Sequence, residues 1–183
     1  MIWNFFVFLL VQMPYDFSPV FVFLHLGNLE GKFSPHGEKG QGSLSNGSLQ
    51  VLFDSTLLNP NIPQLIKANQ EYTVTLQYDS TTSSNQLKQF KGFLFRLSGR
   101  NDESVDGTLY VEDDDQVQDK NSGCASTISA MTHTNNNGKS QVEFKFQYFD
   151  EVIPLSLLLE VTVLIDKSVN NWFYDVYNLD VVG

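Results

Sequence analysis

Residues 141–148 read QVEFKFQY, and their reading decides the fold. Val142, Phe144, Phe146 and Tyr148 fall on one side of an extended chain; Gln141, Glu143, Lys145 and Gln147 fall on the other. Successive side chains of an extended chain point to opposite faces, so a period of two with one apolar side predicts a half-buried β-strand. The rule extends outward. Residues 71–79 alternate with Tyr72, Val74, Leu76 and Tyr78 on one face and Thr73, Thr75 and Gln77 on the other. Residues 90–97 place Phe93, Phe95 and Leu97 together. Residues 155–165 are long and nearly all apolar, as expected of a central strand covered on both faces. Residues 171–182 set Trp172, Tyr174 and Val176 on one face.

Shorter runs at 49–53, 107–112 and 126–134 complete a set of about eight strands, and no window shows a helical stripe. The spacers carry turn chemistry: DSTTSSN at 79–85, GRND at 99–102 and NNNG at 135–138. Asn59-Pro60-Asn61-Ile62-Pro63 reads as a rigid loop. The expected fold is all-β, an antiparallel immunoglobulin-like β-sandwich. It spans residues 27–183, preceded by an apolar N-terminal segment, 1–26.

A chain of 183 residues with 42% apolar content suffices for one well-cored domain and excludes a disordered chain. Its formal net charge of -10 repels phosphate backbones and anionic lipid, which argues against nucleic-acid binding and electrostatic membrane docking. A single cysteine, Cys124, cannot form an intrachain disulfide. It is read as a buried small hydrophobe or as a thiol whose partner lies on another chain.

The N-terminal segment carries two apolar runs, IWNFFVFLLV at 2–11 and VFVFLHL at 20–26. Neither reaches the roughly 18–20 residues that span a bilayer, so no transmembrane helix is expected. The first run has the length of a signal-peptide core but lacks a basic start, and no Lys or Arg precedes Lys32. The alternatives are a strand packed on the domain and a segment that mediates assembly.

Four sets of residues bear on chemistry. His133 is a ligand contact or a strand-end histidine that fixes the following turn. Asp113, Asp114 and Asp115 in the EDDD run offer the hard oxygens that Ca²⁺ prefers, or form a solvated acidic loop that blunts an edge strand. Asn46-Gly47-Ser48 is an N-glycosylation sequon. Cys124 and His133 lie nine residues apart with no local nucleophile–base arrangement. No G-x-S-x-G element and no Gly-rich phosphate loop occurs, and the only basic residues of the 90–97 strand, Lys91 and Arg96, make no stripe for acidic glycans. These readings favour a non-enzyme without a cofactor.

The order of short motifs resembles the reeler domain, the family named after the N-terminal region of reelin. The motifs are Pro35-His36-Gly37, Tyr72-Thr73-Val74-Thr75-Leu76, Phe90-Lys91-Gly92-Phe93, Gly107-Thr108-Leu109-Tyr110, Cys124, Thr132-His133-Thr134-Asn135, Lys139, Val142-Glu143-Phe144 and Trp172. They cover about residues 35 to 180. The resemblance implies a non-catalytic extracellular module, secreted or at the cell surface, that binds protein or glycan partners. The alternative is a structural subunit of an extracellular assembly that self-associates by donating residues 1–26 to a neighbour. His133 and Cys124 belong to the family pattern, but the family's cysteines usually pair and Cys124 has no intrachain partner. Some bacterial relatives attach haem through a cysteine motif in the loop equivalent to 34–48; that loop has no cysteine here, which excludes haem attachment.

Overall fold

The computed structural model describes residues 42–79, 88–99, 107–111, 114–119, 129–149, 155–166 and 171–182. Eleven strands lie among them: β1 (Leu49–Phe53), β2 (Thr56–Leu57), β3 (Gln64–Lys67), β4 (Glu71–Tyr78), β5 (Gly92–Gly99), β6 (Gly107–Tyr110), β7 (Val117–Asp119), β8 (Ser129–His133), β9 (Gln141–Tyr148), β10 (Leu155–Leu164) and β11 (Trp172–Val182). A single 3-10 turn, Leu44–Gly47, precedes them. The strands form a five-stranded sheet in the order β2-β1-β4-β9-β6 and a six-stranded sheet in the order β3-β11-β10-β5-β8-β7. The sandwich is the expected one, and each of the eight predicted runs contains a strand.

Three short strands go beyond the reading. β2 returns from β1 through Asp54 and Ser55, both at positive φ (46° and 67°). That backbone twist matches the twist of the strands it joins, as in type I′ hairpin turns. Neither residue is glycine, so the pattern is invisible to a search for Asn-Gly or Asp-Gly. β3 corrects the antiparallel expectation, because it pairs parallel with β11 (Leu179↔Gln64 to Val182↔Lys67). The chain leaves the edge of the first sheet at β2 and joins the edge of the second at β3, so no hairpin constrains the pair. β7 pairs with β8 through Val117↔His133.

Alternation becomes burial where the sheets face each other. Val74, Leu76, Phe95, Leu97, Phe146 and Leu157 are fully shielded from solvent. Phe95 of β5 meets Phe144 of β9 edge-to-face across the sandwich, at 4.6 Å and 71°. Phe53, Tyr72 and Phe146 form a second group, with Phe53 4.9 Å from Tyr72 and 5.6 Å from Phe146. Such offset and edge-to-face pairs place the positive ring edge on the negative face and add about 0.5–1.5 kcal/mol each beyond burial. In β11 the core face is Phe173, Tyr177, Leu179 and Val181; the Trp172, Tyr174 and Val176 face points away from the other sheet.

Phe95→Ala removes one ring of the Phe95–Phe144 pair and is expected to cost about 3–5 kcal/mol. Gln50→Ala, on the outward face of β1, is expected to stay within about 0.5 kcal/mol. Urea unfolding midpoints of the two variants check both values.

Candidate functional site

Two surfaces gather the residues with chemistry. The first is the turn between β8 and β9. Lys139 is 1% exposed, an unusual state for an ammonium. Its Nζ donates to Asn135 O at 2.8 Å and Asn137 O at 2.9 Å, with Asn135 Oδ1 at 3.3 Å and Lys91 O at 3.5 Å. Its backbone pairs with Phe90 in both directions, at 2.8 and 2.9 Å. Burial lowers the Lys139 pKa from the usual lysine value, while the charges of Asp114 and Asp115 oppose that shift. An internal ammonium therefore organises the exposed Asn-rich turn, as a small structural cation would.

His133 stands beside this turn, at the end of β8. Its Nδ1 lies 3.3 Å from Phe93 N and 3.2 Å from Phe93 O, so the ring bonds the backbone of β5. A Cβ at Gly92 would come within 2.9 Å of the imidazole, so glycine there makes room for the ring. Lys139 is the side chain whose ammonium bonds the carbonyl oxygens of the turn.

The acidic run docks on the same turn. Thr134 N donates to Gln116 O at 3.0 Å and Asn135 Nδ2 to Asp115 O at 3.2 Å, and the Thr134 hydroxyl also donates to Asp115 O. Asp114 Oδ1 accepts from Gln116 N at 2.6 Å. Among the described residues no three His, Cys, Asp or Glu side chains converge as metal ligands. Asp113 and Cys124 lie outside the described residues. Asn46 is exposed, within the 3-10 turn. Its neighbour Gly47 sits against the Phe173 ring, where a Cβ would fall 2.7 Å from the nearest ring carbon.

The second surface was not picked out as a site from sequence. A cleft of about 770 Å³ opens where the edges carrying β2 and β3 approach each other. Leu57, Pro60, Ile62 and Pro63 wall it, with Ser43 and Asp175 on the polar side. Leu57 and Ile62 are 59% and 62% exposed, and Leu65 on the adjoining β3 is 60% exposed. The residues 58–63 loop holds Ile62 outward: Asn59 Oδ1 accepts from Asn61 N at 2.9 Å, and Ile62 N donates to Asn59 O at 3.1 Å. Asp175 accepts from Leu44 N at 2.9 Å. Burial raises its pKa, and hydrogen bonds from Leu44, Ser43 and Tyr177 pull it back. The signal for this surface was present in the sequence as an isoleucine held between two prolines.

The edge of β3 is partly closed. Lys67 N donates to Tyr72 Oη at 2.6 Å, Gln70 N to Lys67 O at 3.4 Å, and the Gln64 side-chain amide to Leu65 O at 3.0 Å. Groups so occupied do not accept an added strand. What this end of the molecule offers is apolar side chains.

The fold and its surfaces define a two-sheet β-sandwich module, and comparison with known proteins gives its family. The chain belongs to the reeler domain family, whose model matches residues 57–180. Two solved structures of the human F-spondin reeler domain superpose with TM-scores of 0.52 and 0.54 at 13% and 14% identity, covering 74% and 79% of this chain and 89% and 93% of theirs. A structure of the Reelin-N domain of F-spondin gives 0.54 at 13% identity over 74% of this chain and 87% of its own. Identity this low speaks for the fold alone. No curated protein sequence matches the chain. Among the described residues no helix is long and apolar enough to cross a membrane.

Lys139→Met leaves the carbonyl oxygens of Asn135 and Asn137 without their donor. The expected cost is about 1–3 kcal/mol, with faster amide exchange confined to residues 134–138. Alkaline stability gives a second check. Burial pushes the Tyr78 hydroxyl from 10.0 up to about 12, and burial with the neighbouring Glu160 and Asp175 charges raises Tyr174 and Tyr177. A raised folded-state pKa lets the unfolded chain lose its proton first. Stability is therefore intact below about pH 10 and falls as pH climbs toward about 12. Lys139, lowered by burial, acts with the opposite sign. Tyr174→Phe should flatten the alkaline fall in the urea midpoint.

Proposed function

We propose that the chain is a non-catalytic, secreted or cell-surface reeler-like module that binds a protein partner through the Leu57–Ile62–Leu65 ridge. The observation that carries this reading is the exposed apolar surface itself: Leu57 and Ile62, each more than half exposed, wall one open cleft, and Leu65 is equally exposed on the strand that follows it. Contiguous exposed apolar surface of this kind marks interaction sites on soluble domains. The rim is held by prolines and side-chain-capped turns, so little conformational freedom is lost on binding. Family membership supports the extracellular setting. Acidic glycans fit less well. Arg96 is 8% exposed and bonded to Glu160 at 2.7 Å, and the surface is acidic overall.

A photo-crosslinking residue at position 65 is expected to capture a protein from the extracellular fluid. Leu57→Asp with Ile62→Asp in the same chain should abolish capture while changing stability by no more than about 0.5 kcal/mol per site. Capture that survives both substitutions, or a native protein confined to the cytosol, sinks the reading.

A further inference from the structure

The core face of β11 is broken at one position. Phe173, Tyr177, Leu179 and Val181 alternate along it, and all four are buried. Asp175 takes the place in that series between Phe173 and Tyr177, where the period of two calls for an apolar side chain. It is half-buried, and it lines the cleft walled by Leu57 and Ile62. No other residue lining the cleft carries a charge.

The carboxylate is held but not neutralised. Its Oδ2 accepts from Leu44 N at 2.9 Å, and the Ser43 and Tyr177 hydroxyls donate two further hydrogen bonds. All three donors are neutral. An ionised carboxylate has about four lone-pair sites, so Asp175 can accept once more. Among the described residues no lysine or arginine pairs with it. Glu160 in the same sheet shows the other solution, with Arg96 at 2.7 Å. Withdrawing a carboxylate from water without a counter-charge is unfavourable, and burial accordingly raises the Asp175 pKa.

We propose that the partner bound at this cleft inserts a basic side chain, lysine or arginine, that sets its charge on Asp175 while flanking apolar residues cover Leu57 and Ile62. The inference rests on the reading of the cleft as a protein-binding surface and adds the chemistry of the partner. Charge complementarity carries it: a half-buried anion in an otherwise uncharged cleft recognises a cation, and a guanidinium or ammonium donates to the acceptor that the three neutral groups leave open. The walls suit the rest of such a side chain, because Leu57, Pro60, Ile62 and Pro63 offer apolar surface to its methylene stem. A volume of about 770 Å³ takes that side chain together with its neighbours. A purely structural role for Asp175, holding the Leu44–Gly47 turn, needs only an acceptor and not a charge.

The experiment titrates two peptides into the full chain labelled at its methyl groups. One is acetyl-Leu-Arg-Leu-amide; the other carries citrulline, the neutral isostere, in place of arginine. Saturable shifts of the Leu57 and Ile62 methyl signals are expected with the arginine peptide, and binding about tenfold weaker with the citrulline peptide. Asp175→Asn keeps an acceptor for Leu44 N. It is expected to erase the difference between the peptides while the Leu44 amide signal stays in place. Equal binding of the two peptides overturns the proposal and leaves the cleft a surface for apolar segments alone. A preference for arginine that survives Asp175→Asn overturns it as well. So does the absence of shifts with either peptide; the protein-binding role is then decided by capture at position 65, which does not involve Asp175. The comparison of arginine with citrulline uses the unaltered protein, so it stands even where Asp175→Asn does not fold.

Discussion

The structure depends on two sheets meeting through alternate side chains. Phe95 and Phe144 show why that constraint is strict. Each is one member of a period-two series, and each series is locked by its neighbours: Phe95 opposite Val161 and Met131, Phe144 opposite Val74. A slip of one residue in either strand would turn its apolar set to water and bring polar residues such as Glu143 into the core. The register of the paired strands follows from avoiding that outcome. A core of this kind holds the fold without an intrachain disulfide.

Charge is handled inside this scaffold by pairing it with dipoles or with a partner. Lys139 is neutralised by backbone carbonyls and by nearby carboxylates; Arg96 is neutralised by Glu160, which also receives the Tyr174 hydroxyl. Buried charges left alone would cost several kcal/mol, so these groups demand defined surroundings. The first shapes an exposed turn at one end of the sandwich. The second sits on a sheet face that ordinary two-layer sandwiches leave wet. The apolar ridge on Leu57, Ile62 and Leu65 lies elsewhere, where two sheet edges approach. The exposed apolar side chains and the buried polar networks are thus separate in the fold.

Much of this was legible in the residues. Alternation along 141–148 and 71–79 named the strands and their buried faces, because a period of two has one physical cause. The continuous apolar run at 155–165 announced a strand covered on both faces, and its outward Leu158 and Leu164 are half-buried. His133 was legible only as a strand-end residue, since its bond to Phe93 joins positions forty apart in sequence. β2 and β3 were missed because strands of two and four residues hold too few positions for a period to show.

The sequence alone determined the fold class, the identity of the core strands and the family resemblance. These rest on local periodicity, composition and motif order. Only the tertiary structure decided that the Lys139 ammonium bonds the turn carbonyls, that β3 runs parallel to β11, and that Leu57 and Ile62 wall one cleft with Leu65 exposed on the following strand. Each of those facts concerns residues brought together from distant positions, and periodicity carries no information about which surfaces the chain will fold side by side.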